Sequence, residues 1–183
     1  MIEEMFSVVD IETTGGSTTN DAITEIAVVN LWRGEVIDEW STLVNPGKRI
    51  PPHIVELVGI TDAMVADAPP FSNVVQDFLD HTGESVFVAH NVSFDRRFLK
   101  HNVEGLGLIW AMEQELCTLK LAKRQIPAGT TGSYKLRDLT RHYEVASPVS
   151  HRALADAQAT ARLLVKMIEM SGARNVGELI DGF

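Results

Sequence analysis

The sequence predicts a mixed α/β layered fold, and three features carry that reading. The first 44 residues hold three apolar, β-branched runs with short links, the pattern of an antiparallel meander. From residue 54 onward, helix-periodic segments alternate with a strand-like one, which favours layers of helix against sheet. The chain has 183 residues, 45% of them apolar, enough to bury one sizeable core.

The elements follow in order. Met5–Asp10 is an apolar run that ends in an acid. Ile23–Leu31 and Glu35–Val44 are apolar and β-branched, joined by Trp32-Arg33-Gly34, a hairpin turn. Asn45-Pro46-Gly47 breaks the pattern. Ile54–Val58 reads as a short helix, and Thr61 suits the cap of the next turn. Phe71–Asp80 has helical apolar spacing at Phe71, Val74, Val75, Phe78 and Leu79. Ser85–Ala89 reads as a buried strand, Ser93–Asn102 as a helix, and Ile109–Glu113 as a fifth strand. Leu116–Arg124 and Leu136–Tyr143 are further helices, with residues 126–134 a flexible loop between them. Ala153–Met170 is a long Ala/Leu-rich helix stopped by Ser171-Gly172, and Val176–Ile180 is a short closing helix. One domain over residues 1–183 is the expected organisation.

Composition excludes several classes. A single cysteine, Cys117, leaves no internal disulfide framework and no multi-Cys zinc site. No apolar run approaches the ~20 residues of a membrane span. The start MIEEMFSVVD lacks the basic segment of a signal peptide. These point to a reducing cytoplasmic setting with no membrane partner. The net charge of −9 speaks against a nucleic-acid partner until its distribution is read. Residues 1–90 carry 15 acids against 3 Lys/Arg, whereas residues 91–141 carry 9 Lys/Arg against 5 acids. That basic middle is either a solvated helical surface or an electrostatic footprint.

Four carboxylates stand out. Asp10 and Glu12 sit at i and i+2 at the end of a strand, so they share a face. Two acids side by side on a core-facing edge repel each other and resist desolvation, unless a cation joins them or the strand ends in water. Asp95, in His90-Asn91-Val92-Ser93-Phe94-Asp95, lies in the first turn of a helix, where an acid also suits the helix dipole. Asp156 interrupts the apolar stretch Ala153-Leu154-Ala155-Asp156-Ala157. His151 precedes it by five residues, a turn of ~500° on an ideal helix, so the two do not share a helical face. The loop position after Pro148-Val149-Ser150 suits a movable base. Thr13-Thr14-Gly15-Gly16 offers small residues and backbone N–H groups to a phosphate or sugar, but lacks the Lys of a Walker loop. Four carboxylates from separate segments without a Cys or His cluster point to Mg²⁺ or Mn²⁺. Two such ions ~3.5–4 Å apart serve phosphodiester cleavage.

The strings DIETTG, HNVSFD and HRALADA, in this order and spacing, closely resemble the three motifs of the DEDDh group of DnaQ-like 3′–5′ exonucleases. The match covers roughly residues 5–170. His-x4-Asp marks the histidine branch, and Arg152 excludes the Tyr-x3-Asp version. The resemblance implies an RNase H-like fold with a central mixed five-stranded sheet, meander plus parallel strands, flanked by helices. It implies two divalent ions, Mg²⁺ or Mn²⁺. Asp10, Glu12 and Asp156 would hold one, Asp10 would bridge to the second, and Asp95 would support the second. It makes His151 the general base and gives nucleoside 5′-monophosphates as products.

The same resemblance places Thr13, Thr14 and Gly15 against the terminal nucleotide. It places Leu57 or Ile60, from a "hGIT"-like stretch, against terminal bases, and His90, Asn91 and Phe94 along the strand groove. Core packing is an equal reading of Leu57 and Ile60, and core burial a competing one of Phe94. Arg96, Arg97, Lys100, Lys120, Lys123, Lys135 and Arg137 are candidates for phosphate contacts. The expected partners are single-stranded or frayed DNA 3′ ends and a DNA polymerase subunit, in proofreading or repair. RNA trimming and a non-catalytic binding domain are the alternatives.

Overall fold

The computed structural model describes residues 2–146 and 151–181. Three strands open the chain: β1 (Met5–Thr13), β2 (Ile23–Trp32) and β3 (Glu35–Leu43). They pair antiparallel, as the meander pattern requires. Arg33 and Gly34 both take positive φ, 52° and 82°, the two-residue turn whose twist matches a hairpin. Two strands follow later and pair parallel on the other side of β1: β4 (Val86–Ala89), then β5 (Glu115–Cys117). The five-stranded sheet has the order β3-β2-β1-β4-β5, which puts β1 at its centre.

The fifth strand lies later than the sequence suggests. Ile109–Glu113 has the right apolar content, yet Ile109 is 83% exposed. The Trp110 indole N–H donates to the Met112 carbonyl at 2.8 Å. That local turn buries Trp110 and Met112 without making this run part of a ladder, and pairing with β4 begins at Glu115. Leu116 and Cys117 are therefore strand rather than the start of a helix.

Helices cover both faces. α1 (Pro52–Val58) and α2 (Asp62–Val65) enclose a small satellite cluster of Ile50, Val58, Ile60 and Val65. The Thr61 hydroxyl accepts from the Met64 N–H at 3.3 Å, the cap expected there. α3 (Phe71–Thr82) and α4 (Val92–Gly105) cover one face of the sheet. They bury Val74, Val75, Phe78, Phe98 and Leu99 against Val9, Ile11 and Phe87. α5 (Thr118–Gln125), α6 (Leu136–His142), α7 (Ala153–Ser171) and α8 (Val176–Asp181) cover the other. Among the described residues no helix is long and apolar enough to cross a membrane.

The strand period decides what faces α7. Phe6 and Val8 of β1 lie in the α7-side core, and Val9 and Ile11 in the opposite one. Asp10 and Glu12 extend the Phe6–Val8 column, so they point toward the helix that carries Asp156. Ala153, Ala157 and Ala161, four residues apart, form a buried stripe that lets α7 lie close on β1 and β2. Replacing Ala157 with Leu is expected to overpack this contact and cost about 1–3 kcal/mol in urea unfolding.

Candidate active site

The site is built at the C-terminal edge of β1. One carboxylate oxygen from each of Asp10, Glu12 and Asp156 can be chosen so that all three lie within 4.8 Å of one another. All three residues are half-buried. Asp95, buried on the first turn of α4, reaches the same strand from the other face and accepts the Ile11 N–H at 3.2 Å. The chain reaches α4 through Asn91, in the left-handed region at φ 69°, a conformation Asn tolerates better than most residues. The four acids therefore converge from β1, α4 and α7.

Crowding them out of water disfavours their charged forms. Burial, then the charges of Asp95, Glu12, Asp156 and Glu25, hold Asp10 well above the usual carboxylate range. Glu12 is pushed up to about 8 by burial and then by Asp156, Glu25 and Asp95, with Arg152 opposing. Burial lifts Asp95 to about 7, against the hydrogen bonds it accepts from backbone N–H groups. Burial lifts Asp156 to about 6, the largest opposing influence being His151. A divalent cation would relieve this repulsion, and close-set carboxylate oxygens are the donors that Mg²⁺ or Mn²⁺ prefers. The residues fit a metal centre.

His151 is exposed and stands just before α7, close enough to Asp156 for their charges to interact. Pro148-Val149-Ser150, expected to lead into it, lie outside the described residues.

Glu25, which the motif reading does not name, and Arg152 of the third motif complete the edge. Glu25 sits opposite Glu12 in the β1–β2 register and is buried. Arg152 grips it with Nε at 3.1 Å from both carboxylate oxygens and Nη2 at 2.5 Å from one. The Ala153 N–H donates to the same carboxylate at 2.8 Å, so Glu25 anchors the start of α7. A glutamate inside the apolar run Ile23–Leu31 is the sequence signal for it.

The remaining candidates divide by their contacts. The Thr14 hydroxyl accepts the Ala22 N–H at 3.0 Å and donates to Asp21 at 3.2 Å. The Thr13 hydroxyl donates to the Gly15 carbonyl at 2.7 Å. A Cβ on Gly15 would lie 2.6 Å from the Asp21 carboxylate, so close approach of that side chain already demands glycine there. Ile60 is wholly buried in the satellite cluster, whereas Leu57 is 56% exposed and is the one of the pair at the surface. Phe94 is half-buried, its ring centroid 5.0 Å from that of Phe98. His90 lies between the Thr118 hydroxyl at 2.9 Å and the Tyr134 carbonyl at 3.0 Å, so both ring nitrogens have protein partners.

Residues 7–164 match the model of the exonuclease family RNase_T. The chain belongs to this family of DnaQ-like exonucleases. It is 34% identical to Exonuclease X, whose structure is in complex with 5′ overhanging duplex DNA; the match covers 92% of this chain and 93% of that one, with a TM-score of 0.71. A Mycobacterium tuberculosis protein named as a bifunctional exonuclease/endonuclease is 46% identical over 180 residues, 95% of this chain and 28% of that protein. The PolC-type DNA polymerase III of Bacillus subtilis is 36% identical over 175 residues, 95% of this chain. This chain thus spans only 28% and 12% of the length of these two relatives. E. coli Exonuclease I shares the fold, with a TM-score of 0.78 at 17% identity over 91% of this chain and 41% of that one.

Two expectations follow. The cluster carboxyls titrate above their ordinary values in the fold, so from about pH 4 to about pH 8 the native state holds protons that the unfolded chain has released. Their contribution to stability is present at low pH and lost as pH rises through about 6 to 8. Mn²⁺ should therefore raise Tm more at pH 8 than at pH 5.5, where protons compete; no shift at pH 8 would argue against a metal centre. Separately, Arg152→Met should cost about 1–3 kcal/mol in urea unfolding, because it leaves a buried Glu25 charge unpaired. Adding Glu25→Gln should recover part of that loss.

Proposed function

We propose that this chain is a metal-dependent 3′–5′ exonuclease that releases nucleoside 5′-monophosphates from DNA 3′ ends. The observation that carries the reading is the convergence of Asp10, Glu12, Asp95 and Asp156 with His151 at the start of α7. Asp10, Glu12 and Asp156 would hold one divalent ion, with Asp10 and Asp95 toward a second. When bound, such ions supply an activated water and stabilise the leaving oxygen.

The chain's own groups do the rest. A ring nitrogen of His151 takes the proton of the attacking water, the general-base task that an imidazole most often performs. The exposed position of His151 gives it access to that water, and the neighbouring Asp156 carboxylate stabilises the imidazolium that results. The backbone of Thr13 and Thr14 borders the same end of β1, where the terminal nucleotide and its 3′-hydroxyl would lie. The register shift between Glu12 and Thr13 turns that backbone out of the regular ladder, as bulges beside active sites do. Leu57 offers the exposed apolar side chain for a terminal base.

DNA as substrate is supported by the 34% identity to an exonuclease whose structure contains duplex DNA. A polymerase as partner, in proofreading, is supported by the 36% identity to a PolC-type polymerase. The test is a gel assay with a 5′-labelled oligonucleotide, as DNA and as RNA, with Mn²⁺, Mg²⁺ or EDTA. The expected result is a ladder shortening from the 3′ end, abolished by EDTA and reduced about 10²–10⁴-fold by His151→Ala, the range of general base catalysis. Preference for RNA would transfer the activity to RNA trimming, and cleavage independent of His151 would remove it from its assigned role.

A further inference from the structure

His151 has little of its own to hold it. It is exposed, precedes α7, and belongs to no helix or strand. Arg152, which joins it to the helix, is fixed at two points. Its guanidinium forks onto the buried Glu25 carboxylate. Its carbonyl accepts the Asp156 N–H at 3.0 Å, the bond that opens the ladder of α7.

The start of α7 is capped in an uncommon way. A helix start ordinarily takes Ser, Thr, Asp or Asn, whose side chain satisfies a free backbone N–H. Arg152 stands at that position and makes no such bond. Glu25 supplies it from β2 instead, accepting the Ala153 N–H at 2.8 Å. A carboxylate there also suits the positive end of the helix dipole. One acid thus holds both the Arg152 side chain and the Ala153 backbone.

Two consequences reach His151. Arg152 is extended, with φ −133° and ψ 128°. Neighbouring side chains on extended backbone point to opposite sides. An Arg152 turned inward to Glu25 therefore turns His151 outward, toward water. Glu25 is also the register partner of Glu12, so the histidine is referenced to the strand position of a cluster acid. Stability alone is a poor account of the pair. A buried ion pair often stabilises no more than apolar residues of similar volume, and α7 already rests on the sheet through Ala153, Ala157 and Ala161. What the fork adds is direction, because a guanidinium held through two nitrogens has a fixed plane.

We propose that Glu25 and Arg152 are positioning residues for the reaction: their ion pair holds the chain before α7 so that His151 meets the attacking water beside the carboxylates. The inference rests on the exonuclease reading above, in which His151 is the general base, and supplies what orients that base.

The test replaces the pair together, as Glu25→Gln/Arg152→Met, which removes one charge of each sign and leaves no buried charge alone. With Mn²⁺ and the oligonucleotide dT12, kcat should fall about 10–10²-fold, as a small misplacement of reacting groups does, with KM within about twofold. In a His151→Ala background the same pair should cost less than about twofold, since groups that act as a unit are not additive. The Mn²⁺-induced rise in Tm should be unchanged. In EDTA, the imidazole NMR signal of His151, identified by its absence in His151→Ala, should narrow and move toward that of free imidazole. The signals of the other histidines should stay in place. Equal loss of kcat in both backgrounds, a lost Mn²⁺ shift, or an unmoved His151 signal overturns the positioning role. Should the double variant not fold, Arg152→Lys keeps the charge without the fork and carries the same cycle with the same expectations. If the wild-type chain does not shorten dT12, the exonuclease reading falls, and the NMR arm alone decides whether the pair orients His151.

Discussion

Mutual repulsion among carboxyl groups held out of water is the constraint around which this molecule is arranged. Asp10, Glu12 and Asp156 bring oxygens within 4.8 Å of one another, with Asp95 bound to the backbone between the first two. A fold does not gather such groups without a scaffold that forces them together. Here the forcing elements are apolar. The alanine stripe of α7 seats that helix on the sheet, and the valine and isoleucine ladder of β1 sits at the sheet's centre. Core burial drives both contacts, and the acids ride on their edge.

Glu25 and Arg152 show how the edge is kept in place. Glu25 adds another buried acid to an already acidic corner, which would worsen the repulsion if it stood alone. Its bonds to Arg152 and to the Ala153 N–H convert it into a tie between β2 and the start of α7. The same guanidinium opposes the upward shift of Glu12. Asp156 and His151 flank this tie, so a contact outside the motif acids fixes where the last motif begins.

The opposite side of the edge relies on a neutral histidine. His90 joins the end of β4 to Thr118 and to the loop before α6. Desolvation, which raises the acids, lowers this base. One physical cause thus gives both the proton-holding cluster and the uncharged latch beside it.

Much of this was legible in the residues. The apolar, β-branched runs with short links predicted the meander and its Trp32-Arg33-Gly34 turn, and alternation along a strand, a local property, predicted the shared face of Asp10 and Glu12. Helical apolar spacing predicted α3, and the Ala/Leu-rich run with its Ser171-Gly172 stop predicted α7, both local signals. The motif strings pointed to a DnaQ-like exonuclease, and the family match agrees. What the tertiary structure decided depends on partners distant in sequence. Trp110 and Met112 look like strand residues, but pairing with β4 starts only at Glu115. Leu57 and Ile60 are equivalent in composition, and only the satellite cluster under α1 and α2 separates the exposed one from the buried one. Glu25 meets Arg152 across 127 positions of chain, and neither residue identifies the other. Local pattern fixes which way a side chain points from its own element; what it meets there is set by how the elements dock.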